Sequence, residues 1–213
     1  MTADLGLRER KKRRTRQLIL EAAARLFAER GFDAVTVADI ARAAEVSDVT
    51  VFNYFGSKEG LFFGGMDFFE ERLLAAVLER KPGESAFAAF RRPVLDGFDG
   101  LAADDRAEVI ALAARLIDGS PVLQARELEI VARYTRLLAA LLADEEGASG
   151  GAVEAATVAS ALIGAHRALV EYVRSEIVAG SRGRRLAAEA RSQAVRAFGR
   201  LESGLAGYAV KTD

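Results

Sequence analysis

From Arg14 onward, apolar side chains recur at Leu18, Ile19, Ala22, Ala23, Leu26 and Phe27, the i, i+3, i+4 spacing of one buried helix face. Gly31 predicts its end, because glycine takes the left-handed C′ conformation without a Cβ penalty, and Phe32 can then fold back onto Phe27. Thr36-Val37-Ala38-Asp39 reads as a capping box in which the Thr36 hydroxyl satisfies an orphan N–H and Asp39 reaches back. It opens a short helix with Ile40, Ala41 and Ala44 on the inner face, and Glu45-Val46 make the turn that follows. Ser47 caps a second short helix, Asp48 to Phe55, with Val51 and Phe55 directed inward. Gly56 breaks the chain, and Ser57 caps a long helix that repeats Phe62, Met66, Phe69, Leu73 and Val77 before Pro82-Gly83.

The rest of the chain alternates runs rich in Ala, Leu, Arg and Glu, all good helix formers, with stops near Phe98-Asp99-Gly100, Gly119-Ser120-Pro121, residues 146–151 and residues 180–183. No segment alternates long enough to predict a sheet. The pattern therefore predicts an all-α fold of about nine helices. Composition shifts near residues 58–65, which divides the chain into a small trihelical unit over 1–60 and a larger helical body over 61–213. Gly64-Gly65 interrupts the long helix at a cost of roughly 1 kcal/mol per glycine relative to Ala. Close packing or a kink explains it; so does a hinge between the two parts.

Composition narrows the chemistry. With 51% apolar and 29% charged residues, the chain has ordinary globular composition. The absence of Cys removes disulfides and thiolate metal sites, and a reducing cytoplasm is the expected compartment. No apolar run approaches the roughly 20 residues that cross a bilayer, and the charged N-terminus lacks a signal-type apolar core, so no membrane partner is expected. Net charge is −1, but seven of the nine residues from Arg8 to Arg16 are basic. Such a cluster is either a solvated tail or a phosphate-neutralising arm. Its position decides for the arm, because it leads directly into two short helices joined by a tight turn. That arrangement is a helix-turn-helix, whose second helix presents its N-terminal half to a major groove about 12 Å wide. Asp48, Val49, Thr50, Asn53 and Tyr54 are then the outward candidates.

Residues 14–63 closely resemble the N-terminal domain of the TetR family of bacterial regulators. The resemblance rests on several motifs in order: Ala22-Ala23 with Leu26-Phe27 and Gly31-Phe32, Thr36-Val37, Ile40-Ala41 with Ala44, Val46-Ser47, Thr50-Val51-Phe52, Tyr54-Phe55 and Ser57-Lys58-Glu59. It implies an N-terminal three-helix DNA-binding domain followed by a larger ligand-binding and dimerisation domain. It further implies a homodimer on a palindromic double-stranded operator, acting as a repressor released by a small hydrophobic effector. Thr36, Tyr54 and Lys58 match positions that hold phosphates, Val37 joins them in the DNA-binding set, and Thr50 and Asn53 match positions that reach base edges or nearby backbone. Ser47 and Asp48 lie at the start of the recognition helix, and Arg10, Lys11 and Arg13 extend the contact along the backbone or into a minor groove. Asp48 departs from the usual residue there. It either faces away as a cap-turn residue or accepts from a cytosine amino group.

For the body, the resemblance places an effector pocket and a dimer interface. Phe87, Phe90, Phe98, Leu112, Leu116, Tyr134, His166 and Tyr172 are the apolar or amphipathic pocket candidates, with His166 and Tyr134 as polar handles. Ala156, Ala159, Ser160, Ile163 and Gly164 form a small-residue stripe that suits either a dimer interface or packing within the chain. No P-loop, paired-His metal motif or dinucleotide fingerprint occurs, and the single His has no triad signature around it. An enzyme is therefore not expected; nor are a cofactor, a metal or a catalytic residue.

Overall fold

Thr36 shows how local chemistry sets this fold. Its hydroxyl accepts from the Asp39 N–H at 3.1 Å while the Asp39 carboxylate takes the Thr36 N–H at 3.1 Å and its hydroxyl at 2.6 Å, a complete capping box. In the computed structural model, which describes residues 2–64, 67–146 and 151–205, this box starts α2 (Val37–Ala43). Before it runs α1 (Thr2–Arg30), and after it come α3 (Asp48–Phe55) and α4 (Lys58–Phe63). The body follows as α5 (Asp67–Leu78), α6 (Ala86–Gly97), a 3-10 turn (Phe98–Ala102), α7 (Asp104–Asp118), α8 (Pro121–Glu146), α9 (Ala152–Val178) and α10 (Gly183–Leu205). Among the described residues there are ten α-helices and no strand.

The tenth helix arises where one long helix was expected. The segment from Ser57 to Pro82 is two helices, with α4 ending at Phe63 and Gly64 as its C-cap. Gly65 and Met66, also part of that expectation, lie outside the described residues. Arg16 of α1 donates to the Gly64 carbonyl at 2.7 Å and lies 5.3 Å from the Phe55 ring centroid. A helix-end carbonyl that needs a partner therefore finds one in tertiary structure.

The chain forms two compact units, Met1–Phe68 with Leu116–Gln124, and Phe69–Arg115 with Ala125–Asp213. The first is built on Ile19, Ala22, Ala23, Leu26, Phe27, Phe32, Ile40, Val51 and Leu61, all buried. Phe27, Phe32 and Phe62 meet pairwise at 5.2, 5.9 and 5.8 Å, joining α1, the α1–α2 loop and α4. The corner between α7 and α8 also belongs here, a placement that no local pattern reveals. Ser120, buried, donates to Asp33 in the α1–α2 loop at 3.1 Å.

In the second unit, α10 buries Leu186, Ala190, Ala194 and Phe198, four residues apart, and packs against α6, α9 and the 3-10 turn. Phe198 meets Phe87 at 6.0 Å and Phe90 at 6.4 Å. Buried Arg80 closes the end of α5 by donating to the carbonyls of Val77 and Glu84. By length and composition α9 is apolar enough to span a bilayer, contrary to the expectation that no segment would be. A third of that apolar stretch is buried, including Ala155, Leu162 and Ile177, and α9 packs on α10 and α6.

Gly60 marks the closest approach in the first unit: a Cβ there would press into the carbonyl oxygen of Phe55. Gly60→Ala should therefore destabilise the protein by about 1–3 kcal/mol, the range for overpacking, despite alanine's higher helix propensity. Chemical denaturation of the variant checks this, and a gain in stability would contradict the geometry.

Candidate functional site

The turn between α2 and α3 is a Schellman motif in which a glutamate occupies the left-handed position. Glu45 has φ 55°, its N–H donates to Arg42 O at 3.3 Å, and the Val46 N–H donates to Ala41 O at 3.0 Å. Ser47 then accepts from the Thr50 N–H at 3.1 Å, and the two hydroxyls are 2.8 Å apart. These contacts fix the entry angle of α3. Val51, 1% exposed, anchors α3 from within, while Val46 and Phe55 are half-buried. Asp48, Val49, Phe52 and Asn53 are exposed, and their i, i+1, i+4, i+5 spacing puts them on one face. Thr50 and Tyr54 flank that face, half-buried.

The expected phosphate holders differ in availability. Thr36 is exposed, but its hydroxyl proton and its N–H both go to Asp39, whose carboxyl these bonds hold below its ordinary value of 3.8. Half-buried Val37 follows it in the first turn of α2. The Lys58 ammonium donates to Phe32 O and Val35 O, each at 2.9 Å, and stands 4.2 Å from the centroid of the Phe32 ring. Two of its three N–H donors are therefore already used inside the protein. Lys58 was expected to hold a phosphate, and nothing local in the sequence shows that the α1–α2 loop would offer two carbonyls to it.

The basic arm is helical. Residues from Thr2 onward continue α1, which at 29 residues spans about 43 Å. Arg10, Lys11 and Arg13 are exposed on it, with Arg10 bonded to Gly6 O at 3.1 Å. A helix about 10 Å across does not enter a minor groove about 6 Å wide, so of the two expected modes this conformation permits contact along the backbone. Arg16 is committed to Gly64 and Phe55 instead.

The pocket candidates do not form one set. Phe87 and Phe90 are buried against Phe198, and Phe98 is buried in the 3-10 turn. Leu116 falls in the first unit, and Leu112 and Tyr172 are half-buried. The Tyr134 hydroxyl already accepts from Arg133 at 3.1 Å. His166 stands apart: its ring stacks on Phe69 with centroids 5.2 Å apart, and its Nδ1 is buried with no hydrogen-bond partner. Burial pushes this imidazole down to about 4. Burial differs across the small-residue stripe of α9, whose i, i+3, i+4, i+7, i+8 spacing keeps it on one broad face. Ala159 and Ile163 are buried in the chain's own core, whereas Ala156, Ser160 and Gly164 face outward. Among the described residues no three His, Asp or Glu side chains converge as metal ligands would.

A supported recognition helix with one free face, carried with a larger helical body, defines a DNA-binding transcriptional regulator. Residues 19–64 match the bacterial regulatory proteins of the tetR family, and residues 84–179 match the MftR C-terminal domain. The HTH-type transcriptional regulator TcmR of Streptomyces glaucescens is 36% identical over 150 residues, 67% of this chain and 65% of that protein. The chain thus spans slightly less than two thirds of that relative's length. A TetR-family regulator from Streptomyces coelicolor shares the fold with a TM-score of 0.53 at 23% identity, over 87% of this chain and 93% of that one. FadR from Bacillus subtilis, solved in complex with stearoyl-CoA, does so with a TM-score of 0.51 at 24% identity, over 85% and 97%. The chain belongs to the TetR family of bacterial regulators.

Two measurements follow from this geometry. Lys58→Met keeps the aliphatic stem but removes the Lys58 bond to Val35 O and leaves Phe32 O with the Val35 N–H at 3.3 Å, so stability should fall by about 1–3 kcal/mol. DNA affinity should fall with an unchanged salt slope; a slope lower by about 0.9 would instead make Lys58 a direct phosphate contact. For His166, the native state holds a neutral ring down to about pH 4, while the unfolded chain takes up a proton near the ordinary 6.5. Stability is therefore lost as pH falls from 6.5 toward 4, and His166→Phe should flatten that stretch of the profile in urea melts. An equal acid loss in the variant would place the sensitivity elsewhere.

Proposed function

We propose that this regulator is a repressor that binds a palindromic operator as a homodimer and is released by a small hydrophobic effector held in its helical body. The observation that carries the reading is the exposed face of α3, set by the Glu45 turn and the Ser47 cap. A recognition helix of 8 residues reads few base pairs, so useful specificity calls for a second copy about 34–36 Å away. The outward residues Ala156, Ser160 and Gly164 of α9 support a two-fold contact: they permit close helix approach, and a Cβ on Gly164 would meet nothing within 4 Å.

Exposed Asn53 and half-buried Thr50 support contacts to base edges, with Tyr54, Thr36 and the first turn of α2 as backbone contacts in this reading. Asp48 is exposed in the first turn of α3. There it favours the helix dipole while repelling any phosphate it approaches, which suits a position over a cytosine amino group. The effector reading rests on the apolar interior of the body and on His166, whose neutral ring and unpartnered Nδ1 offer a hydrogen bond to an otherwise apolar molecule. FadR from Bacillus subtilis, similar in fold and solved in complex with stearoyl-CoA, supports an apolar effector.

Selection from a random duplex library tests the proposal. One inverted repeat with fixed half-site spacing is the expected product, and its release by apolar compounds identifies the effector class through linkage. Enrichment of a single unpaired half-site would contradict the dimer. An operator complex insensitive to every apolar compound bound by the body would contradict effector release.

A further inference from the structure

The recognition helix carries two large apolar side chains in water. On α3, Val49 is 67% exposed and Phe52 is 50% exposed. They stand three residues apart, hence side by side, with Asn53 next to Val49 and Asp48 one turn before Phe52. Neither forms part of the core, which takes only Val51 from this helix at 1% exposure. Phe52 has no hydroxyl and so cannot hold a phosphate by hydrogen bonding. An exposed phenyl ring beside an exposed isopropyl group on the base-facing side of such a helix calls for an apolar partner. In a major groove the only apolar group on a base edge is the C5-methyl of thymine.

We infer that Val49 and Phe52 form an apolar clamp that reads thymine C5-methyl groups in each operator half-site. The inference rests on the DNA-binding reading and specifies it. The polar neighbours fit the role: Asn53 can pair with the adenine of an adjacent step, and Asp48 disfavours approach to phosphate, which keeps this end of α3 over bases. The Ser47–Thr50 hydroxyl pair fixes the start of the helix, so the two apolar groups arrive at a defined depth.

Uracil differs from thymine only by that methyl, so deoxyuridine substitution measures the contact directly. Using the full-length protein and the operator recovered by selection, each thymine is replaced in turn by deoxyuridine, in symmetric pairs across the two half-sites. Burying one methyl per half-site is worth roughly four-fold in affinity, so a symmetric pair should cost on the order of ten-fold or more at one or two positions. Phe52→Ala and Val49→Ala should each bind more weakly and lose the discrimination at their own position. Phe52→Leu, still apolar, should keep part of it. The three substitutions fall at two exposed positions, and circular dichroism verifies the fold. Equal affinity of the wild type for every deoxyuridine operator would overturn the inference while leaving operator recognition intact. So would full discrimination persisting in both alanine variants. Recovery of no enriched duplex would instead overturn the DNA-binding reading, and the clamp with it.

Discussion

The ammonium group of Lys58 holds the DNA-reading unit in its shape. It sits at the first residue of α4, yet its two hydrogen bonds go to the α1–α2 loop, at Phe32 and Val35, with the Phe32 ring beneath it. Carbonyls in such a loop lack the regular N–H donors of a ladder or helix, Phe32 O receiving the Val35 N–H at 3.3 Å, and leaving a buried carbonyl unpaired is costly. One charged donor satisfies two of them and ties the start of α4 to the loop that launches α2. The Phe27–Phe32–Phe62 cluster fills the space behind it. The angle between α1 and the pair α2–α3 depends on this joint, and so does the direction in which α3 faces.

On that base the turn itself is held by backbone. Glu45 adopts a left-handed conformation that costs a non-glycine residue roughly 1–2 kcal/mol, and the Schellman bonds to Arg42 and Ala41 outweigh it. Ser47 then restarts the helix two residues later. Because the α2–α3 corner is stabilised through its main chain and a cap, nearly all the side chains on the outer face of α3 are left free. A surface that is not needed for folding is available for recognition, and Asp48, Val49, Phe52 and Asn53 occupy it.

The body follows a different logic. Its buried residues repeat along α9 and α10, and Phe198 fills the seam with α6 by receiving Phe87 and Phe90. Against that apolar background His166 is an anomaly: it has a neutral ring and a buried nitrogen without a partner, and it stacks on Phe69 in the first turn of α5. A polar atom left unpaired in an apolar interior is a position where binding energy can be gained by a molecule that supplies the missing hydrogen bond.

Much of this protein is legible in the one-dimensional pattern. The helical class, the helix-turn-helix, the Thr36–Asp39 capping box, the Ser47 and Ser57 caps and the Phe27–Phe32 contact all involve residues within a few positions of one another. Their physics is local, and so is their signal. What needed tertiary structure involves partners far apart in the chain: Arg16 with Gly64, Lys58 with Phe32 and Val35, Ser120 with Asp33, and Phe198 with Phe87 and Phe90. The break at the end of α4 belongs to this second group, since a pair of glycines raises the cost of a helix without saying whether a distant arginine will take the freed carbonyl. The same holds for the uneven burial of the α9 stripe and for the exposure of Phe52, because which side of a helix meets water is decided by what packs on the other side. Sequence by itself determined the helical class, the starts of α2, α3 and α4 and the family the chain resembles. Only the packing of segments remote in sequence decided which charges are spent on the fold and which side chains of α3 remain exposed.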